Sequence, residues 1–206
     1  MTAIAKSPIV IYAESTPNPS AMKFVANQLL LENSSTVEFF NPTDAKSFPL
    51  VIELFKFPFV KSVFIASHYI TIFKIDAIDW DGVILELREF VRSYLSQGKP
   101  VMIGNGEVGT SKNNKEEQET GKEAVEHAAP QSEIEKKIID VLEQYVSPAV
   151  EQDGGMIVFR SYKDGIVSLF MRGACSGCPS STSTLKGGIE ALLKKFIPEV
   201  KEVVGA

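Results

Sequence analysis

Charge interrupts every apolar stretch of this 206-residue chain before it is long enough to cross a bilayer. The most apolar region, 50–75, is broken by Glu53, Lys56, Pro58, Lys61, His68 and Lys74. A spanning helix needs about 20 consecutive apolar residues, so no membrane segment is expected. A dense Lys/Arg block is missing too. With 21 basic residues against 26 acidic ones and a net charge of −5, the chain lacks the basic footprint of a nucleic-acid surface, and that class is set aside. The first ten residues carry neither an apolar signal core nor an Arg-rich amphipathic pattern, and the expected location is cytoplasmic.

Cysteine is scarcer still. There are two, spaced as Cys175-Ser176-Gly177-Cys178. A disulfide-stapled secreted domain spreads an even set of cysteines through the chain, whereas two this close staple nothing. Their concentration in one loop points to metal binding or thiol chemistry.

What is present divides in three. Residues 104–131 contain no Ile, Leu, Met, Phe, Tyr or Trp and cannot bury enough apolar area to offset an ordering entropy of about 1–2 kcal/mol per residue. They read as a flexible linker, with ends roughly 30 Å apart by coil statistics. It joins two small α+β domains, 1–103 and 132–206. In the first, strands are expected over 9–13, 22–25 and 37–40, with a turn forced by Pro17, Asn18 and Pro19. A helix over 48–57 stops at Pro58. A hairpin covers 60–66 and 69–75, and a helix covers 79–96 with Ile84, Leu87, Val91 and Leu95 on one face.

The second domain reads as helix, strand, strand, helix, strand. Ser132 and Glu135 make a capping-box pattern, and Ile134, Ile138, Val141, Leu142 and Tyr145 share a helical face. Pro148 is expected to end that helix near Val146. Gln152–Gly155 is a turn, and strands over 156–162 and 166–171 are joined through Lys163-Asp164-Gly165, a hairpin signal. The second helix opens after Cys178 with Pro179 in its first turn, where a missing N–H costs little. Leu185, Ile189, Leu192, Leu193 and Phe196 form its inner face, and a last strand is expected over 200–204.

The cysteines therefore sit where a strand hands over to a helix N-terminus, whose dipole favours thiolate. Gly173 and Gly177 leave the loop uncrowded, and the nearest charges, Arg172 and Lys186, are positive. No His, Asp or Glu lies within 172–186 as a third ligand or base. Two thiolates cannot complete a four-coordinate site or a four-cysteine cluster. Two chains about a two-fold axis supply four. Four readings follow: a cluster shared by a dimer, a structural zinc shared in the same way, a pair of buried, inert thiols, or a thioredoxin-like dithiol–disulfide oxidoreductase. The last wants a larger sheet than about 75 residues allow.

Residues 132–206 resemble the NifU-like C-terminal domain. The resemblance is carried by Asp153-Gly154-Gly155 and by Gly173-Ala174-Cys175-Ser176-Gly177-Cys178-Pro179-Ser180-Ser181, with Leu185-Lys186 and Ile189-Glu190 following. Residues 1–100 are similar to the Nfu-type N-terminal domain through Thr16-Pro17-Asn18-Pro19, Met22-Lys23-Phe24, Leu54-Phe55, Val60-Lys61-Ser62-Val63-Phe64 and the strand over 70–74. Phe59 stands where that family commonly has Gly between Pro58 and Val60, so a different turn is expected there. The resemblance implies a non-catalytic iron–sulfur cluster scaffold or carrier. It implies Cys175 and Cys178 as iron ligands, a [4Fe-4S] cluster bridging a homodimer through the C-terminal domain, cluster donor machinery, and recipient apo iron–sulfur proteins. A [2Fe-2S] cluster satisfies the same thiolate count.

The remaining candidates have plainer readings. His68 fits a hairpin tip, His127 a solvated linker position, and Trp80 and most of Phe55, Phe57, Phe59 and Phe64 a core. Asp153 belongs to a turn. Gly187 and Gly188, inside a helix, are either tolerated weakness or places of close backbone approach.

Overall fold

The computed structural model describes residues 8–32, 36–103, 127–176 and 179–205, with the backbone alone over 179–183. The chain divides into two compact units, Met1–Glu14 with Lys23–Glu123, and Ser15–Met22 with Ala124–Ala206. Both mix helix and strand, so the α+β class read from the sequence holds. Most of the expected linker, 104–126, lies outside the described residues.

The first unit is built on a five-stranded sheet in the order β1-β2-β5-β4-β3. The strands are β1 (Ile11–Ser15), β2 (Ala21–Ala26), β3 (Val37–Phe39), β4 (Val60–Ile65) and β5 (Tyr69–Lys74). The β4–β5 hairpin pairs Ile65 with Ile70 and Val60 with Lys74, and its turn exposes His68 as the sequence suggests. Central β5 is buried at all six positions, which matches its run of β-branched and aromatic residues. Helix α1 (Pro49–Leu54) buries Leu50, Val51 and Leu54. Helix α2 (Ile84–Ser96) buries Leu87, Val91, Tyr94 and Leu95. It starts later than expected, because Trp80–Gly82 forms a separate 3-10 turn. Trp80 is half-buried there, with the Lys74 ammonium 5.8 Å from its ring centroid, rather than core. Phe59 and Phe64 are core, and Phe57 packs against Phe59 and edge-on to Phe90 at 5.1 Å.

In the second unit, α3 (Glu133–Val141) opens on Ser132, whose hydroxyl accepts from the Glu135 N–H at 3.2 Å. Pro148 does not end the helix. A π-helical turn over Leu142–Val146 precedes α4 (Ser147–Gln152), with the Ser147 N–H donating to the Leu142 carbonyl. The wider turn accommodates the missing proline N–H and carries the helix past it. It also rotates the buried stripe, which runs Ile138, Val141, Leu142, Val146, Val150. Tyr145, expected inside, is 48% exposed and stacks on Phe196, itself 45% exposed, at 5.1 Å between centroids.

Strands β6 (Gly155–Lys163) and β7 (Ile166–Gly173) form an antiparallel hairpin, and β8 (Glu202–Gly205) adds parallel to β7. Asp164 and Gly165, at φ 54° and 89°, make the tight turn that the sequence signalled. Helix α5 (Pro179–Phe196) returns across this sheet, burying Ile189 and Leu193 with Leu185 and Leu192 at the edge of the core. Its Glu190 accepts from Lys194 and, at 3.1 Å, from the Val203 N–H, tying helix to strand. Both bonds hold that carboxyl below its ordinary value. Residues 127–130 are not simply solvated. The Phe159 N–H donates to His127 Nδ1 at 2.8 Å and the Ala128 N–H to the Phe159 carbonyl at 2.9 Å, which lays this stretch along β6.

Candidate metal centre

The hairpin register builds the site. Gly155 pairs with Gly173 at the open end of β6–β7, so the chain entering β6 and the chain leaving β7 run side by side. The Ala174 N–H donates to the Gly154 carbonyl at 3.1 Å. Gly173, at φ 62°, turns the chain, and both the N–H and the hydroxyl of Ser176 reach its carbonyl at 2.9 Å. Between these anchors Cys175 points inward and is only 5% exposed, within the hydrophobic cluster of the unit. The sequence placed it on an open loop. Pairing at Gly155–Gly173 instead draws it into the core edge.

Gly155 makes that position possible. A Cβ there would lie 2.6 Å from Cys175 Sγ and 2.9 Å from the Arg172 carbonyl oxygen. The Asp153-Gly154-Gly155 turn is thus part of the cysteine site. The sequence shows it only as a turn.

A segment far away in sequence also reaches this loop. Asn18, 7% exposed, donates from Nδ2 to the Ala174 carbonyl at 3.2 Å, within the second unit. Nothing in the residue pattern anticipates this, beyond the turn that Pro17 and Pro19 impose.

Cys178 and Gly177 lie outside the described residues. Helix α5 begins at Pro179, immediately after Cys178, in line with the expected helix N-terminus. Arg172 is buried, its guanidinium 5.0 Å from the Phe170 ring centroid. Gly187 and Gly188 are exposed, and a Cβ on either would meet nothing within 4 Å, so close approach among the described residues does not explain them. Among the described residues, no three His, Cys, Asp or Glu side chains are grouped to hold a metal ion. No helix among them is long and apolar enough to cross a membrane.

The donor chemistry at Cys175 fits iron or zinc through sulfur. Family comparisons decide more. The model described as scaffold protein Nfu/NifU N terminal matches residues 11–98, and that of the NifU-like domain matches 138–204. The human NFU1 iron-sulfur cluster scaffold homolog, mitochondrial, is 32% identical over 197 residues, covering 94% of this chain and 70% of that protein. The chain belongs to the Nfu family of iron–sulfur cluster scaffold proteins. The Drosophila willistoni NFU1 homolog, also described as mitochondrial, is 34% identical over 98% of this chain, which spans 65% of that protein's length. The solution NMR structure of a NifU-like protein from Saccharomyces cerevisiae aligns with 50% of this chain and 92% of that one, at 22% identity and a TM-score of 0.43.

In this Nfu-family chain the turn that carries Cys175 is fixed by both backbone and side-chain hydrogen bonds. Two of these bonds engage Ala174 and two the Gly173 carbonyl, and among the described residues no side-chain acids and bases are grouped to compete for metal.

Proposed function

We propose that this chain carries a [4Fe-4S] cluster bridged between two copies of itself, each supplying Cys175 and Cys178, and delivers it to recipient apo iron–sulfur proteins. The observation behind the reading is the ligand count. The chain has two cysteines in one loop, and no alternative ligand cluster occurs among its described residues, so a second copy supplies the missing pair. A [2Fe-2S] cluster meets the same count, and quantifying iron and sulfide per dimer separates the two. The protein receives its cluster from donor machinery and turns over no substrate. The small three-stranded sheet argues against a dithiol oxidoreductase, which wants its motif on a larger one.

Anaerobic reconstitution of Cys175→Ser and Cys178→Ser tests the assignment. Each variant is expected to lose the broad visible absorbance together with its iron and sulfide. The Cys175 change should also cost on the order of 1 kcal/mol of stability, because it puts a hydroxyl at a buried site. Full iron and sulfide in either variant overturns the assignment. Colourless parent protein with rapid thiol exchange would favour the oxidoreductase.

A further inference from the structure

We infer that Asn18 is a positioning residue for Cys175, a latch whose side-chain amide holds the backbone carbonyl just before the cysteine and keeps its sulfur buried. The inference concerns the thiol's access to solvent and holds whatever that sulfur ligates. Asn18 is set in a rigid turn of its own. Its N–H donates to Thr16 Oγ1 at 3.2 Å, and its carbonyl accepts from the Ala21 N–H at 2.9 Å. Its Oδ1 accepts from the Ser20 N–H at 3.0 Å. That last bond fixes which end of the amide faces which way. The oxygen is committed to Ser20, so the NH₂ end is aimed at Ala174.

Ala174 is 2% exposed, and both of its backbone polar groups are engaged, the N–H by Gly154 and the carbonyl by Asn18. The Gly154 bond comes with the strand pairing, since it continues the β6–β7 ladder past Gly155 and Gly173. The Asn18 bond comes from elsewhere in the chain and can break while the sheet stays intact. Losing it strands a buried carbonyl, which is relieved when the Gly173–Ser176 turn opens toward water. Opening the turn carries the Cys175 thiol out with it. Losing a bond that comes from outside the hairpin favours local opening of the turn over unfolding of the whole unit, so the latch helps set how often Cys175 is exposed to a ligand, an oxidant or an accepting protein.

The test is alkylation of Cys175 by iodoacetamide in the full-length apo chain under reducing, anaerobic conditions, with fragment-ion mapping to separate Cys175 from Cys178. Asn18→Asp is the sharper variant. Its carboxylate can still accept from the Ser20 N–H and keep the local turn, but it faces the Ala174 carbonyl with an oxygen in place of a donor. Asn18→Ala removes both bonds. Both variants are expected to speed Cys175 alkylation by about tenfold, the effect of one hydrogen bond on a local opening equilibrium. In Asn18→Asp the exchange protection of the Ser20 amide should stay at its parental value, while the melting temperature falls by a few degrees, because losing the bond raises the closed state relative to the open and the unfolded chain alike. A role confined to the turn's own stability would instead move Ser20 in Asn18→Ala and leave the Asp variant unchanged. A Cys175 rate within twofold of the parent in Asn18→Asp overturns the inference, whether or not Asn18→Ala differs.

Discussion

Gly155 is where a missing side chain determines the position of a functional one. Its Cα faces Cys175 so closely that an added Cβ would lie 2.6 Å from Sγ and 2.9 Å from a backbone oxygen that cannot rotate away. Gly155→Ala should therefore displace the cysteine turn or open the Gly155–Gly173 pair. The expected loss is about 1–3 kcal/mol by the usual cost of overpacking a closed site, with weakened cluster loading alongside. A parental melting temperature together with full iron and sulfide would show that the turn yields without strain. The two cysteines and their spacing were legible in the sequence because thiol chemistry is written in residue type. The burial of Cys175 was not legible, because it depends on which strand residues pair across the hairpin. Asn18 was hidden for a stronger reason, lying 156 positions from its partner. No local period or motif encodes such a contact, although the Pro17 and Pro19 turn that presents it could be read.

Secondary elements were legible where their periodicity is regular and went wrong where an irregular turn intervenes. The β4–β5 and β6–β7 hairpins and helix α5 lie where alternation, turn residues and apolar spacing put them. The α3–α4 region differs because Pro148 can be accommodated by a single π turn as well as by a helix end, and only tertiary packing selects between them. The insertion shifts the helical phase, which is why Tyr145 emerges at the surface and Val146 goes inside. The stretch 127–130 looked like linker by composition, yet two hydrogen bonds hold it on β6. This attachment is pH-sensitive. His127 Nδ1 serves as an acceptor and must be unprotonated, and burial holds the imidazole below its ordinary value despite the opposing effect of Glu143. As pH falls, the unfolded chain takes up the proton first, so the contribution is complete above about pH 6.5 and declines as pH drops through the lowered folded value. Exchange protection of the Phe159 amide should fall between pH 7.5 and 5.5. His127→Ala should cost about 1 kcal/mol at the higher pH and abolish this part of the pH dependence. Equal pH dependence in the variant would assign it to other groups.

For the whole molecule, stoichiometry constrains what the site can become. One chain brings two thiols, and a four-iron cluster ligated by protein sulfur needs four. The described residues provide no further grouped ligands, and among them none lies within 4 Å of a Cβ built on Gly187 or Gly188 of α5. In the proposed bridged arrangement, cluster binding is coupled to association. A ligand that binds only the dimer draws the monomer–dimer equilibrium toward the dimer by mass action, as any ligand favours the state that binds it. Apo protein is expected to be mainly monomeric at low micromolar concentration. Reconstituted protein should scatter light as a dimer with one cluster per two chains, and chelation of the iron should return it to monomer. A mixture of parental chains with Cys175→Ser chains sharpens the experiment, because mixed dimers hold three thiols and should lose cluster faster than parental ones. A holo monomer carrying one full cluster per chain would require two sulfurs from outside the protein, such as a small thiol. In that case the bridged arrangement would give way to one in which the second pair of ligands is exchangeable.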